Sequence, residues 1–414
     1  VNSSKKIVYG LILLTITLGA WARWRNLDFD RDDKRNSSPD EAMYTAYASV
    51  AAHEGIKGTA ISVEQYNKNE KLWILPPPTR IGYLYPLAAV MAFTGRDDRE
   101  TGLIFSAVVG ILSVILAALL CLRFFDPWTA FFAALFMAVS PMELAFARKV
   151  WQDGSMTFLG GGLLYLSFEI LNCGKKYPWI TAYALLGAYA GLTKESGFVL
   201  LGLLSAGLVF FLWRDRRTKE VVFLSIAVSG ACAAALALLT VLSGGPEPLK
   251  QLYGHLKGAV SGNAYALKYQ EDSWYAFLEA PALLSPLALI FFAAGLLGVF
   301  MGRIEKRREL SLAAFTLILL AIAASLPAYF KNIRYLSPGF IAFYLLAAAG
   351  LKWLVSMIQK GKSGFIAAGF GAAAILLVVY ADSLNFKKIF IEGHTKDLSN
   401  PLLRETSIFA RGVR

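Results

Sequence analysis

The chain has 414 residues, of which 56% are hydrophobic and only 17% charged, with a formal net charge of +12 and a mean hydropathy of +0.51. Soluble domains run at about 45–50% apolar and about 25% charged, so this composition excludes an ordinary soluble globule and points to an integral membrane protein. The lysines and arginines lie between apolar runs, which fits membrane topology and anionic lipid and argues against a nucleic-acid partner.

A hydrocarbon core of about 30 Å takes about 20 mostly apolar helical residues, because backbone groups left unpaired cannot face lipid. Eleven runs qualify: 7–24, 101–122, 127–146, 153–172, 177–193, 196–213, 220–243, 281–301, 309–330, 335–355 and 364–381. The first, Ile7–Trp24, reads as a retained helix, since no small-residue cleavage site and polar mature domain follow it. Next comes "SSPDEAMYTAYA", 37–48. Ser38-Pro39-Asp40-Glu41 has the form of a capping box with proline at the first helical position. Acids in a first turn also favour the helix dipole, so Asp40 and Glu41 read equally well as a cap and as chemistry. Met43, Tyr44, Tyr47, Val50 and Ala51 then share one helical face.

The stretch "KLWILPPPTRIGYLYP", 71–86, adds a proline run, Arg80 and the aromatics Trp73, Tyr83 and Tyr85. These rings suit an interfacial belt or the face of a sugar. The run 79–94 is short and contains Pro86, so it is expected to lie at the interface and not to span. Further on, "SPMELAFARKVWQDGSMTF", 140–158, puts Arg148 and Asp153 at the ends of two apolar helices. An acid at a membrane boundary is costly unless hydrated, paired or functional, although Asp153 also suits a helix cap. "GLTKESG", 191–197, holds Lys194 and Glu195, and the runs on either side are short enough to be a broken pair at a cavity. "FKNIRYLSP", 330–338, holds Lys331 and Arg334. Any one of these cations could simply snorkel to headgroups. Four of them on the face expected to carry Asp40 and Asp153 suggest a bound anion such as phosphate.

Cys121, Cys173 and Cys232 are far apart and build no disulfide framework, and His53, His255 and His394 form no zinc signature. A divalent metal at Asp40, Glu41 and Asp153 is chemically admissible, but no ligand spacing supports it. With the N-terminus inside, the short connections "CLRFFDPW", "NCGKKYP", "WRDRRTK", "GRIEKRRE" and "IQKGKSG" are cytoplasmic and mostly basic. The long loops 25–100 and 244–280 and the turns 147–152, 194–195 and 331–334 then lie outside. The expected layout is one all-α membrane domain, 1–381, with an external cap from the two loops and a polar external tail, 382–414.

In order and spacing, "DE" with "MYTAYA", "PPP…YP", "SP…FARKVWQDGSMTF", "GLTKESG" and "RYLSP" resemble the polytopic GT-C glycosyltransferases, specifically the protein O-mannosyltransferase and lipid A aminoarabinose transferase group. The likeness covers roughly residues 7–355. It implies a GT-C helical bundle in the plasma or inner membrane, with an external active site fed by a polyprenyl- or dolichyl-phosphate sugar. Asp40 would be the general base for an acceptor hydroxyl on a glycan, lipid or protein, with Glu41 beside it. Asp153 would help shape the acceptor or polar site, and Asp40, Glu41 and Asp153 would be the catalytic acids. Arg80, Arg148, Lys194, Lys331, Arg334, Tyr44 and Tyr83 would bind substrate. Two departures stand out. Leu75 precedes Pro76 where the aminoarabinose transferases carry a lysine, leaving Arg80 as the nearest basic replacement, and the large luminal insert of eukaryotic mannosyltransferases is missing. The resemblance favours inversion; a retaining route would need Asp153 as nucleophile about 5 Å from Asp40. The rival readings are a transporter or flippase of lipid-linked saccharides, which should bury charges near mid-bilayer where only Glu169 was evident, and a glycan polymerase or ligase using a diphosphate carrier.

Overall fold

The computed structural model describes residues 2–25, 27, 38–174, 176–262, 276–326, 333–361 and 364–387. Among these residues the secondary structure is helical throughout. In chain order the helices are α1 Asn2–Trp24, α2 Pro39–Glu54, α3 Gly58–Lys68, α4 Ile81–Thr94, α5 Arg99–Phe124, α6 Pro127–Val139, α7 Pro141–Ala147, α8 Gln152–Asn172 and α9 Tyr177–Thr193. They continue with α10 Ser196–Arg214, α11 Thr218–Leu242, α12 Pro246–Gly262, α13 Ala276–Leu284, α14 Pro286–Phe300, α15 Arg307–Ser325, α16 Phe340–Gly361 and α17 Gly364–Phe386. A 3₁₀ segment, Ile333–Gly339, leads into α16.

Each run expected to span is mainly helical over its described residues, but by length and composition eight helices of these residues can cross a membrane, or nine if the pair α6 and α7, bent by 63°, counts as one span. The short runs account for the difference from eleven: α9 has 17 residues, and the run 281–301 is split at Ser285 into α13 and α14. Segment 79–94 is the 14-residue helix α4, packed by Ile81, Tyr83, Leu84, Leu87 and Met91 into the protein. α17 continues past position 382 to Phe386 and buries Asp382; the rest of the expected tail, 388–414, lies outside the described residues.

The bend between α6 and α7 has a covalent cause. Pro141 has no N–H to give to the carbonyl of Met137, and the turn also frees the carbonyl of Ala138. Arg23, fully buried at the end of α1, donates to both, at 3.3 and 3.2 Å, and to Gly19 of its own helix at 3.1 Å. A cation thus replaces the amides that the proline withdrew, in a place where no water can do so. Arg148, just past α7, donates in turn to the carbonyls of Ala22 and Arg25, at 3.4 and 2.5 Å, and so caps α1. Two arginines therefore lock the first helix to the broken one. Elsewhere α14 and α16 touch backbone to backbone: a Cβ on Gly350 would collide with the carbonyl of Phe291, and one on Gly295 with that of Leu346.

Replacing Arg23 with Met keeps bulk but strands the Met137 and Ala138 carbonyls. The variant is expected to lose about 2–4 kcal/mol of stability. Thermal unfolding in detergent should show a clearly lowered midpoint, and a midpoint equal to that of the unaltered protein would contradict this account of the bend.

Candidate active site

The capping box at the start of α2 is real. Ser38 N–H donates to Glu41 Oε2 at 2.9 Å, and Glu41 N–H donates back to Ser38 Oγ at 3.3 Å. Glu41 is fully buried and also accepts from Val150 N–H at 3.1 Å and Arg99 at 3.2 Å, with Lys149 Nζ at 3.8 Å. Trp151 Nε1 donates to Ser38 Oγ at 3.0 Å. These bonds clamp the start of α2 onto residues 149–151, directly before α8. Glu41 therefore does not stand beside Asp40 as a second reacting acid. Its oxygens are engaged from several sides and no substrate can reach them.

Asp40, one residue earlier in the same turn, points the other way. Its Oδ2 meets Arg334 Nη1 at 3.0 Å, and its side chain keeps 22% of its exposure. Arg334 Nε donates to Asp153 Oδ2 at 2.8 Å. The guanidinium also lies over the Trp151 ring, 4.1 Å from its centroid, which holds the plane of the cation in place. Asp153, in the first turn of α8, is fully buried. Its Oδ1 accepts from Lys194 Nζ at 2.6 Å and from Ser337 Oγ at 3.5 Å. Lys194 sits in extended backbone between α9 and α10, and its ammonium faces the Tyr335 ring at 5.0 Å. Burial pulls that ammonium below its ordinary pKa, and the Asp153 carboxylate opposes the shift.

Gly160 brings Arg334 close. The 3₁₀ segment that carries Arg334 lies on α8 so tightly that a Cβ at Gly160 would run into the Pro338 carbonyl. Thr157 Oγ1 donates to the Ser337 carbonyl at 3.1 Å and ties the same contact. Across the site Arg80, before α4, bonds the Tyr44 hydroxyl and pairs through Nη2 with Glu195 Oε2 at 3.1 Å. Burial holds the Tyr44 phenol well above its ordinary pKa despite Arg80, so it stays neutral and serves as a hydrogen-bonding group.

The structure thus brings together Asp40, Asp153, Arg80, Lys194, Arg334 and Tyr44. Besides Glu41, two expected site residues fall elsewhere and a third lies outside the described residues. Arg148 is committed to the end of α1. Tyr83 is buried between Tyr44 and Phe105, with ring centroids at 5.4 and 5.8 Å, and has no face to offer a sugar. Lys331 lies outside the described residues. Trp73, a candidate sugar platform, is stacked on His255 of α12 at 3.8 Å, where it joins the two long connections together. Trp151, Ser337 and Glu195 have no role in the sequence reading, which gives Ser38 only its place in the cap. Glu195 had a signal in standing next to Lys194 at a helix break. Trp151 had none, since a membrane protein of this composition has many tryptophans at helix ends.

Among the described residues no three His, Cys, Asp or Glu side chains converge to hold a metal. Asp40 and Asp153 already share a cation of the protein's own, so this donor set does not fit a divalent ion. The buried charges of the helical core are more numerous than Glu169, which pairs with Arg123 at 2.8 Å. Arg23, Glu143 and Asp382 are buried too. A Glu143 oxygen lies 3.4 Å from Thr157 Oγ1, and Asp382 accepts from Ser285 at 3.2 Å.

Residues 78–243 match the family model of the dolichyl-phosphate-mannose-protein mannosyltransferases. No curated protein matches the chain. Among solved structures it is similar to ArnT from Cupriavidus metallidurans bound to undecaprenyl phosphate, at 16% identity and a TM-score of 0.53, covering 97% of this chain and 75% of that one. It is also similar to the Archaeoglobus fulgidus oligosaccharyltransferase in its apo form, at 12% identity and a TM-score of 0.59, covering 97% of this chain and 56% of that one. The same archaeal enzyme, AglB, in complex with an inhibitory peptide and a dolichol-phosphate, matches at 12% identity and a TM-score of 0.59, over 94% of this chain and 56% of that one. Bundle, family match and ordered motifs agree: this chain has the GT-C fold of the membrane glycosyltransferases.

Proposed function

We propose that the protein is a membrane glycosyltransferase that moves a sugar from a dolichyl- or undecaprenyl-phosphate donor to an acceptor hydroxyl, with Asp40 as general base. The observation that carries this reading is Arg334, held between the half-open Asp40 and the sealed Asp153. The undecaprenyl phosphate on ArnT and the dolichol-phosphate on AglB support a lipid-phosphate donor here. The active site is assigned to the non-cytoplasmic face, with the N-terminus inside, because the short basic loops gather at the opposite end.

The charges suggest an order of events. Three carboxylates, Asp40, Asp153 and Glu195, face three cations, Arg80, Lys194 and Arg334. An arriving phosphate must take a cation from a carboxylate. Asp153 is buried and held through both oxygens, so it keeps its partners. The exchangeable pairs are Arg80 with Glu195, whose side chain is half exposed, and Arg334 with Asp40. Phosphate that draws Arg334 toward itself frees an Asp40 oxygen for the acceptor O–H. In the transfer the acceptor oxygen bonds the anomeric carbon while its proton passes to Asp40. The bond from that carbon to the phosphate oxygen breaks, and its electron pair stays on the phosphate, whose charge Arg80 and Arg334 meet. A single displacement inverts the anomeric centre. The retaining route loses its nucleophile, since Asp153 is sealed and engaged through both oxygens.

Asp40→Asn is expected to lower turnover by about 10²–10⁴-fold at unchanged affinity for the donor. Product formation and binding of a radiolabelled polyprenyl-phosphate sugar measure the two separately. Turnover near that of the unaltered protein would remove the base assignment and favour a transporter. Glu41→Gln should behave in the opposite way, costing about 1–3 kcal/mol of stability through its buried hydrogen bonds, whereas Asp40→Asn should stay within about 1 kcal/mol. Denaturation in detergent compares the two. NMR of the product's anomeric proton should show the configuration opposite to the donor's.

A further inference from the structure

A groove of about 440 Å³ lies between α10, α14 and α15, at the end of the bundle away from Asp153. Its walls are Phe210, Phe211, Phe300, Phe315, Ile318 and Leu319, with Gly207 leaving room on α10. On α15 it runs from Arg307 to Leu319, which at the helical rise is roughly 18 Å. One leaflet's share of a hydrocarbon core is about 15 Å. The groove therefore has the length of one leaflet and does not cross the membrane.

Its polarity is one-sided. The lining is apolar except at one end, where Arg307 and, one turn further in, Ser311 stand. Arg307 stands in the groove at that end, with Arg303 and Lys306 close before it in the chain; all three are exposed and make no ion pair among the described residues. Neighbouring Arg308 is already paired with Asp215 at 2.7 Å and lies over the Phe211 ring. In the stretch 303–307 one acid, Glu305, stands against the three cations Arg303, Lys306 and Arg307. An apolar slot of one leaflet's length with exposed positive charge at one end is complementary to an anionic lipid whose chain is about one leaflet long.

We propose that this groove holds an anionic glycerophospholipid, with one acyl chain along α15 and its phosphate at Arg307 and the adjoining cations. The lipid fills the gap between α10 and α15 and fastens them at the end opposite the site. The proposal does not depend on the sugar-transfer reading, because no residue of the groove belongs to the Asp40 cluster.

Native mass spectrometry of the full chain, released from micelles doped with phosphatidylglycerol or phosphatidylcholine, tests it. One phosphatidylglycerol adduct should persist at a lipid concentration at least about tenfold below that needed for phosphatidylcholine. Arg307→Glu should erase this preference, Arg307→Lys should keep most of it, and Ser311→Trp, which fills the slot, should lose both adducts. A photoreactive acyl chain on phosphatidylglycerol should label peptides within 307–319, a reading taken on the unaltered protein and independent of how the variants fold. Equal retention of the two lipids, a preference that survives Arg307→Glu, labelling confined to other helices, or a prenyl phosphate as the retained lipid would each overturn the proposal.

Discussion

One guanidinium organises the polar end of this molecule. Arg334 comes from the 3₁₀ segment before α16, Asp40 from the first turn of α2, Asp153 from the first turn of α8, and Trp151 from the residue before it. These groups lie far apart in the chain. They meet because a planar cation can bond two carboxylates at its edge while its face rests on a ring. Had Arg334 been a lysine, one point charge would face both acids with no plane to stack. Asp40 would then lose the geometry that ties it to Asp153.

The same logic of replacement recurs inside the bundle. Lipid offers no hydrogen bonds, so each break in a spanning helix must be repaired by the protein. Pro141 breaks α6 from α7, and Arg23 supplies the missing donors. Arg148 does the same for the end of α1. Buried charges in a membrane protein usually mark transport pathways. Here the arginines serve the backbone, and Asp382 accepts from the Ser285 hydroxyl. The break itself has a consequence for the site, because it turns the chain so that α7 leads back to residues 148–151, which receive Glu41 and Ser38.

Adjacent acids in one helical turn have taken opposite parts. Successive side chains on a helix point about 100° apart, so Asp40 and Glu41 cannot share an environment. Glu41 closes the capping box and anchors the loop before α8, while Asp40 faces the cations. A cap and an accessible carboxylate are thus not alternatives in this turn. The rigid capped helix is what presents the carboxylate that remains accessible, in a cluster where positive and negative groups balance.

Much of this was legible along the chain. Spanning helices show as continuous apolar runs because lipid demands it, and the capping box shows because its partners are three residues apart. Asp40, Asp153, Lys194 and Arg334 stood out because charge beside an apolar run needs a reason. What the linear order could not decide was which cations turn toward the acids. Arg148 and Arg334 look alike in sequence, each a lone arginine at a helix end, yet one satisfies carbonyls of α1 and the other bridges two carboxylates. Trp73 and Tyr83 likewise read as sugar-facing rings until their partners, His255 and Phe105, are seen packed against them. Local spacing fixes hydrophobicity, caps and breaks, since those depend on neighbours within a turn or two. The partner of a long side chain depends on which distant helix packs alongside, and only the folded bundle decides that.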